Sequence, residues 1–184
     1  MKSIKILLLT ISFLILSVFL IGCQHEKIST VKETDETVQE YNKLFELELY
    51  TDKQIYKTTD KISIWATLKY VGNNKQIKIW HGYPSISFYI SDGKEFNIGG
   101  IILTTLTSTM LEKDKLYRFD YSKNGGYSND DPKADFWKRF YEEKDLYLPE
   151  GEYSIKVSKA FSLTENAEES KGDLSKELKI RVVK

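Results

Sequence analysis

The chain is short of the residues that staple, ligate or attack. A single cysteine, Cys23, among 184 residues excludes an intramolecular disulfide and any multi-cysteine metal site. There are two histidines, and His25 lies near the N-terminus, so His81 is the one imidazole left for the body of the chain. That is too few for a zinc site of histidines and cysteines. Net charge is also missing. The 27 Lys+Arg equal the 27 Asp+Glu, which argues against a partner held by neutralising many phosphates and so against nucleic acid. No nucleophile-elbow pattern occurs. Gly99-Gly100 and Gly125-Gly126 lack the spacing and the following lysine of a phosphate loop. These absences point away from an enzyme and away from a bound cofactor. The abundant acids allow carboxylate pairs by counting alone, but no cleft-forming pattern gathers them.

The N-terminus is the richest stretch. Lys2 and Lys5 precede an apolar run from Ile6 to Ile21, softened by Thr10, Ser12 and Ser17, that ends at Leu20-Ile21-Gly22-Cys23. A positive n-region followed by an apolar h-region is the layout of a secretory signal peptide. Its ending resembles the lipobox of bacterial lipoproteins, in which a small residue precedes a cysteine that is lipidated and becomes the new N-terminus. The resemblance implies cleavage between Gly22 and Cys23, a diacylglyceryl group on Cys23, and a cell-membrane anchor facing the extracytoplasmic side. Two acyl chains suffice for stable anchoring where one is marginal. An uncleaved transmembrane anchor is the other reading, although a run of 16 residues falls slightly short of a comfortable span. With the leader removed, 25 basic residues face 27 acidic ones, a mildly negative exterior domain with no charge-driven partner.

Residues 23–43 mix charges of both signs with few apolar positions and read as a flexible tether, with a frayed helix over the second half of Gln24 to Tyr41 as the alternative. From Leu44 the period becomes two. Phe45-Glu46-Leu47-Glu48-Leu49 alternates, and so does Lys61 to Tyr70, with Ile62, Ile64, Ala66 and Leu68 on one face. Gly72-Asn73-Asn74-Lys75 suggests a hairpin turn to a strand over Gln76–Trp80. A loop holding His81 and Pro84 follows, then a strand over Ser85–Ser91 and an Asp92-Gly93 turn. Further strands are expected over Ile101–Leu111, Leu116–Tyr121, Glu152–Leu163 and Leu178–Val182. Short strands between turn signals predict an all-β, antiparallel sandwich over 44–184. One segment departs from the pattern. Asp131-Pro132 looks like an N-cap with proline at the first helical position, and Phe136, Trp137, Phe140 and Tyr141 then share one face of a short inserted helix. Asn129, Asp130, Asp131 and Asp135 lack the spacing of a calcium loop and read as a solvated loop with a helix cap.

Leu148-Pro149-Glu150-Gly151-Glu152-Tyr153-Ser154-Ile155 is similar to the turn and late strand of bacterial immunoglobulin-like domains. The run Leu68 to Phe96 resembles, loosely, the immunoglobulin-like domain of the bacillar intracellular proteinase inhibitor. The resemblance implies an immunoglobulin-like β-sandwich and transfers no functional residue.

Binding surfaces are what remains. Trp65 falls on the polar face of its strand, and Trp80, Tyr83 and Tyr89 are close in sequence. Trp65 either packs under the inserted helix beside Trp137 and Phe140 or joins an exposed aromatic row that stacks on sugars or anchors a protein. The expected function is that of a membrane-anchored lipoprotein acting as a non-catalytic accessory module for another envelope protein, with Trp65, Trp80, Tyr83 and Trp137 as binding candidates. A carbohydrate-binding module for wall polymer and a secreted proteinase inhibitor are the alternatives. If Cys23 carries the anchor, Cys23→Ser abolishes metabolic labelling with palmitate and leaves the leader uncleaved. Labelling that survives the substitution would contradict the reading.

Overall fold

A computed structural model describes residues 42–165 and 174–184. The predicted leader 1–22, the cleavage pair Gly22 and Cys23, and the tether up to residue 41 lie outside them. The elements run β1 (Phe45–Thr51), β2 (Ile55–Lys57), β3 (Ile64–Tyr70), β4 (Gln76–Ser91), β5 (Asn97–Gly99), β6 (Leu103–Glu112), β7 (Leu116–Asp120), α1 (Ala134–Glu142), β8 (Gly151–Ser162) and β9 (Ser175–Val183). The protein is therefore mostly β, with α1 the one helix lying wholly among the described residues.

The strands form two sheets. In the smaller, β3 lies between β1 and β7, antiparallel to both. The larger has the order β2-β9-β8-β4-β5, and β6 also pairs with β4. All of its pairings are antiparallel except β2 on β9, which is parallel. Alternation sorts the faces. Phe45 and Leu47 of β1 and Ile64, Ala66, Leu68 and Tyr70 of β3 are buried, while Glu46 and Glu48 are exposed. Opposite them, Ile90, Ile155, Val157 and Val182 of the larger sheet are fully or almost fully buried in the same core. Phe45 meets Phe161 edge-on at 5.1 Å, a direct contact between the two sheets. Truncating a wholly buried Leu68 in such a core costs about 2–5 kcal/mol.

α1 follows β7 and buries its aromatic stripe on Phe96. The rings of Trp137, Tyr153, Phe140 and Phe136 lie 5.4, 5.5, 5.7 and 6.3 Å from that of Phe96. Edge-to-face and offset pairs of this kind each add about 0.5–1.5 kcal/mol beyond buried area. Asp131 does not cap the helix directly. Its Oδ1 accepts from the Lys133 N–H at 2.7 Å and its carbonyl from Ala134 N–H at 2.9 Å. This makes a lead-in turn, and α1 starts at Ala134 with Lys133 at the cap position.

Several expectations change. Gln76–Ser91 is one long strand, and Trp80-His81-Gly82-Tyr83-Pro84 is part of it instead of a loop. The strand tolerates proline because its register on β6 ends at Tyr83 and its main register on β8 resumes at Ile86. Pro84 therefore falls where no ladder N–H is required; the Tyr83-Pro84 peptide is cis. Gly72–Lys75 is not a hairpin turn, because β3 and β4 belong to different sheets. The Asp92-Gly93 turn is a hairpin as expected. Gly93 takes φ +72°, and Asp92 Oδ1 accepts from the Lys94 and Phe96 N–H groups at 2.8 and 3.0 Å. The short β2 has too few residues to show a period, and its parallel pairing departs from a purely antiparallel sheet. Among the described residues no helix is long and apolar enough to cross a membrane.

Two tyrosines tie down the loops. Tyr56 Oη donates to Asp52 Oδ1 at 2.8 Å and accepts from Lys53 N–H at 2.9 Å, and burial foremost, helped by the Asp52 carboxylate, pushes its pKa up to about 12. Tyr153 Oη donates to Pro149 O at 2.9 Å, and burial likewise raises its pKa to about 12. Both phenols stay neutral in the fold while those of the unfolded chain ionise near pH 10. Their contribution is complete below pH 10 and is lost as pH rises toward 12. The urea midpoint should fall across that window, and the double variant Tyr56→Phe/Tyr153→Phe should show a shallower fall.

Candidate functional site

The middle of β4 builds the site. His81 is buried in the strand, not exposed on a loop. Its Nδ1 lies 2.5 Å from Gly82 O, so Nδ1 carries the proton. Its Nε2 lies 2.8 Å from Thr109 Oγ1 on β6, where in the neutral ring it accepts from the hydroxyl. This places a hydroxyl beside an imidazole. The same bond fastens β6 to β4 just before the register shift between His81 and Tyr83, and that is a structural use of the pair.

Beyond the shift, a cleft of about 420 Å³ opens between β4 of the larger sheet and β7 of the smaller, with the β5–β6 connection at Gly100–Ile102 along its wall. Asn124 Nδ2 donates to Ile101 O at 3.1 Å and holds that wall in place. On β7, Arg118 Nε and Nη2 donate to Asp120 Oδ1 at 2.9 and 2.7 Å. The Arg118 guanidinium sits 4.5 Å from the ring centre of Trp65, which stacks on Tyr50 at 5.6 Å with the planes 13° apart. Tyr121 meets Phe88 edge-on at 5.8 Å, and burial pushes its phenol pKa well above the ordinary value.

An apolar rim runs from the cleft onto β6. Tyr83 is 70% exposed, and Ile101, Leu103, Leu106 and Met110 are all exposed. From Asn97 to Leu111 the chain carries no charge, in a protein whose residues are 29% charged. β6 is also an edge. Lys113 N–H donates toward β4, to Lys75 O, whereas Glu112 N–H donates away from it, to Tyr117 Oη. Backbone groups alternate in direction along an antiparallel strand, so those of Ser108 and Met110 face away from β4, with no strand beyond them among the described residues.

The four predicted aromatics do not form one site. Trp80 and Tyr83 share β4, and Trp80 pairs with Ser108 of β6, so both border the apolar rim. Trp65 does not pack under α1. It lies on the outer face of the smaller sheet, between Tyr50 and Arg118, and reaches the cleft only through Arg118. Trp137 belongs to the aromatic packing of α1 on Phe96. The β6 rim and the Arg118–Asp120 pair were not singled out from sequence. The uncharged run was the available signal for the rim, whereas the pair depends on which strands become neighbours. Among the described residues no group of three or more His, Cys, Asp or Glu is placed to hold a metal ion.

No protein-family model and no curated protein sequence matches the chain. Among solved structures it is similar to a β-glucosidase from Erythrobacter marinus, at 15% identity over 76% of this chain and 15% of that one, with a TM-score of 0.38. It is similar to Spo0M, a sporulation control protein from Bacillus subtilis, at 11% identity over 77% and 50%, with a TM-score of 0.39. A β-glucosidase from Listeria innocua in complex with isofagomine gives 11% identity over 75% and 16%, with a TM-score of 0.38. The chain spans half or less of each of those proteins, and at these scores neither fold nor activity carries over.

The closeness of β4 and β6 at the cleft depends on Gly82. A Cβ there would lie 2.1 Å from Leu103 O and 2.9 Å from Ile102 Cγ2. Gly82→Ala must push the strands apart and should cost about 1–3 kcal/mol of stability. Chemical unfolding measures this; an unchanged midpoint would mean the strands are not in contact there.

Proposed function

We propose that this protein is a surface lipoprotein, anchored through a diacylglyceryl group on Cys23, that presents a non-catalytic immunoglobulin-like sandwich as a docking module for another envelope protein. Two sheets around a shared core are compatible with the sandwich, and the leader ending in Gly22-Cys23 supports the anchor. The observation that carries the functional reading is the uncharged β6 edge with its exposed apolar side chains, bordered by Tyr83 and Trp80. Sheet edges are ordinarily protected by charge, proline or a covering element. An unprotected edge offers main-chain hydrogen bonds for affinity and side chains for selectivity to an added strand. Leu103, Leu106 and Met110 are about half exposed, so completing their burial would contribute on the order of 1 kcal/mol each, and together they can anchor a partner.

The test is a photoreactive amino acid placed at Leu106 of the anchored protein in its own cells. One dominant protein adduct is expected from Leu106 and none from Lys57, on the opposite edge strand of the larger sheet. No adduct at Leu106, or the same set from both positions, would overturn the proposal.

A further inference from the structure

The cleft beside the rim has a chemistry of its own, independent of any protein docked on β6. Its volume of about 420 Å³ falls within the range of small-ligand sites. Its charge is cancelled internally. Among the described residues, Arg118 and Asp120 are the permanently charged residues lining it, and they pair with each other. Both nitrogens of His81 are already engaged. The wall therefore has no uncompensated charge to select an anion or a cation.

What it does offer is unused hydrogen-bonding capacity of one kind. Both guanidinium contacts fall on Asp120 Oδ1, and Oδ2 and Arg118 Nη1 make no hydrogen bond among the described residues. Ser85, Tyr121 and Ser122 line the same space, and their hydroxyls have no hydrogen-bond partner among the described residues. Hydroxyls both donate and accept, and a carboxylate edge beside a guanidinium edge matches neighbouring hydroxyls on a ligand. At the mouth, the Tyr83 ring is 70% exposed and offers a flat apolar face. A ligand satisfying all three features is neutral, rich in hydroxyls, and has an apolar face.

We propose that this cleft binds a neutral saccharide of one or two rings, with the C–H face of a pyranose on Tyr83 and its hydroxyls on the free edges of Arg118 and Asp120 and on the serine hydroxyls. No bond is made or broken.

The experiment is calorimetric titration of the full-length protein in a sugar-free detergent with cellotetraose, maltotetraose, mannotetraose and chitotetraose. An uncharged tetrapeptide serves as a comparison. Saturable binding of at least one saccharide is expected, weakened roughly tenfold or more by Tyr83→Ala, the scale of losing one anchoring ring. Asp120→Ala should weaken it similarly, with Ser122→Ala as the variant least able to disturb the fold. Tyr89→Ala, an exposed ring on β4 that does not line the cleft, should leave affinity unchanged. No binding by any of the four saccharides, binding indifferent to Tyr83, or binding of the peptide alone would overturn the proposal. None of these outcomes bears on crosslinking from Leu106, so the two readings fail separately.

Discussion

The structure depends on the change of partners along β4. Over 16 residues this strand pairs first with β6, from Gln76 to Tyr83, and then with β5 at its far end, while its other side is joined to β8. Among the described residues no other strand shares ladders with as many partners. The register on β6 shifts between His81 and Tyr83 and that on β8 between His81 and Ile86, so the ladders are interrupted around Gly82 to Ser85. Gly82 permits the close approach of Leu103, and Pro84 occupies a position where its missing N–H leaves no ladder bond unmade. The cleft lies where the ladder is interrupted, and β6 is left as an edge because β4 has no further strand to give it.

The two outer surfaces of the molecule are built on different principles. On the smaller sheet, Arg118, Trp65 and Tyr50 pack side by side, and Lys69 pairs with Glu46 at 2.5 Å. That face pairs its own charges with one another. Around β6 the reverse holds: Leu103, Leu106 and Met110 are exposed, the side chains from Leu103 to Leu111 carry no charge, and the backbone groups of Ser108 and Met110 face outward without a partner among the described residues. Desolvating such an edge removes no charge from water, so the cost of docking there is low compared with the charged faces. The proposed saccharide cleft sits between these two regimes, with one wall from each sheet.

Most of the β content was legible because alternation is a local property. Phe45–Leu49, Ile62–Tyr70 and Leu178–Val182 each showed which face would be buried, and the stripe Phe136, Trp137, Phe140 and Tyr141 showed the helix. Sheet membership was not local. Gly72–Lys75 has the residues of a hairpin turn, yet the strands it joins belong to different sheets, which only tertiary packing decides. The Gly82 and Pro84 pair suggested a loop, because turn-forming residues inside a strand look the same as a strand's end until the partners are known. Of the site, Tyr83 and Trp80 were legible as exposed aromatics. Trp65 was correctly placed on the outer face, but not its neighbours, since Arg118 is 53 positions away in the chain and meets it only across the β3–β7 register. The expected leader and the proposed anchor on Cys23 rest on the sequence alone.

The claim at the centre of this account is that the free edge of β6 is covered in the cell by an added strand. Amide hydrogen exchange tests it most directly, comparing the protein in envelope membranes prepared from its own cells with the same protein purified, a comparison that rests on the proposed anchor. The account predicts that the Ser108 and Met110 amides, which face away from β4, exchange rapidly in the purified protein and become protected in the envelope, while Thr107 and Thr109 change little. Equally rapid exchange of Ser108 and Met110 in both settings would contradict it.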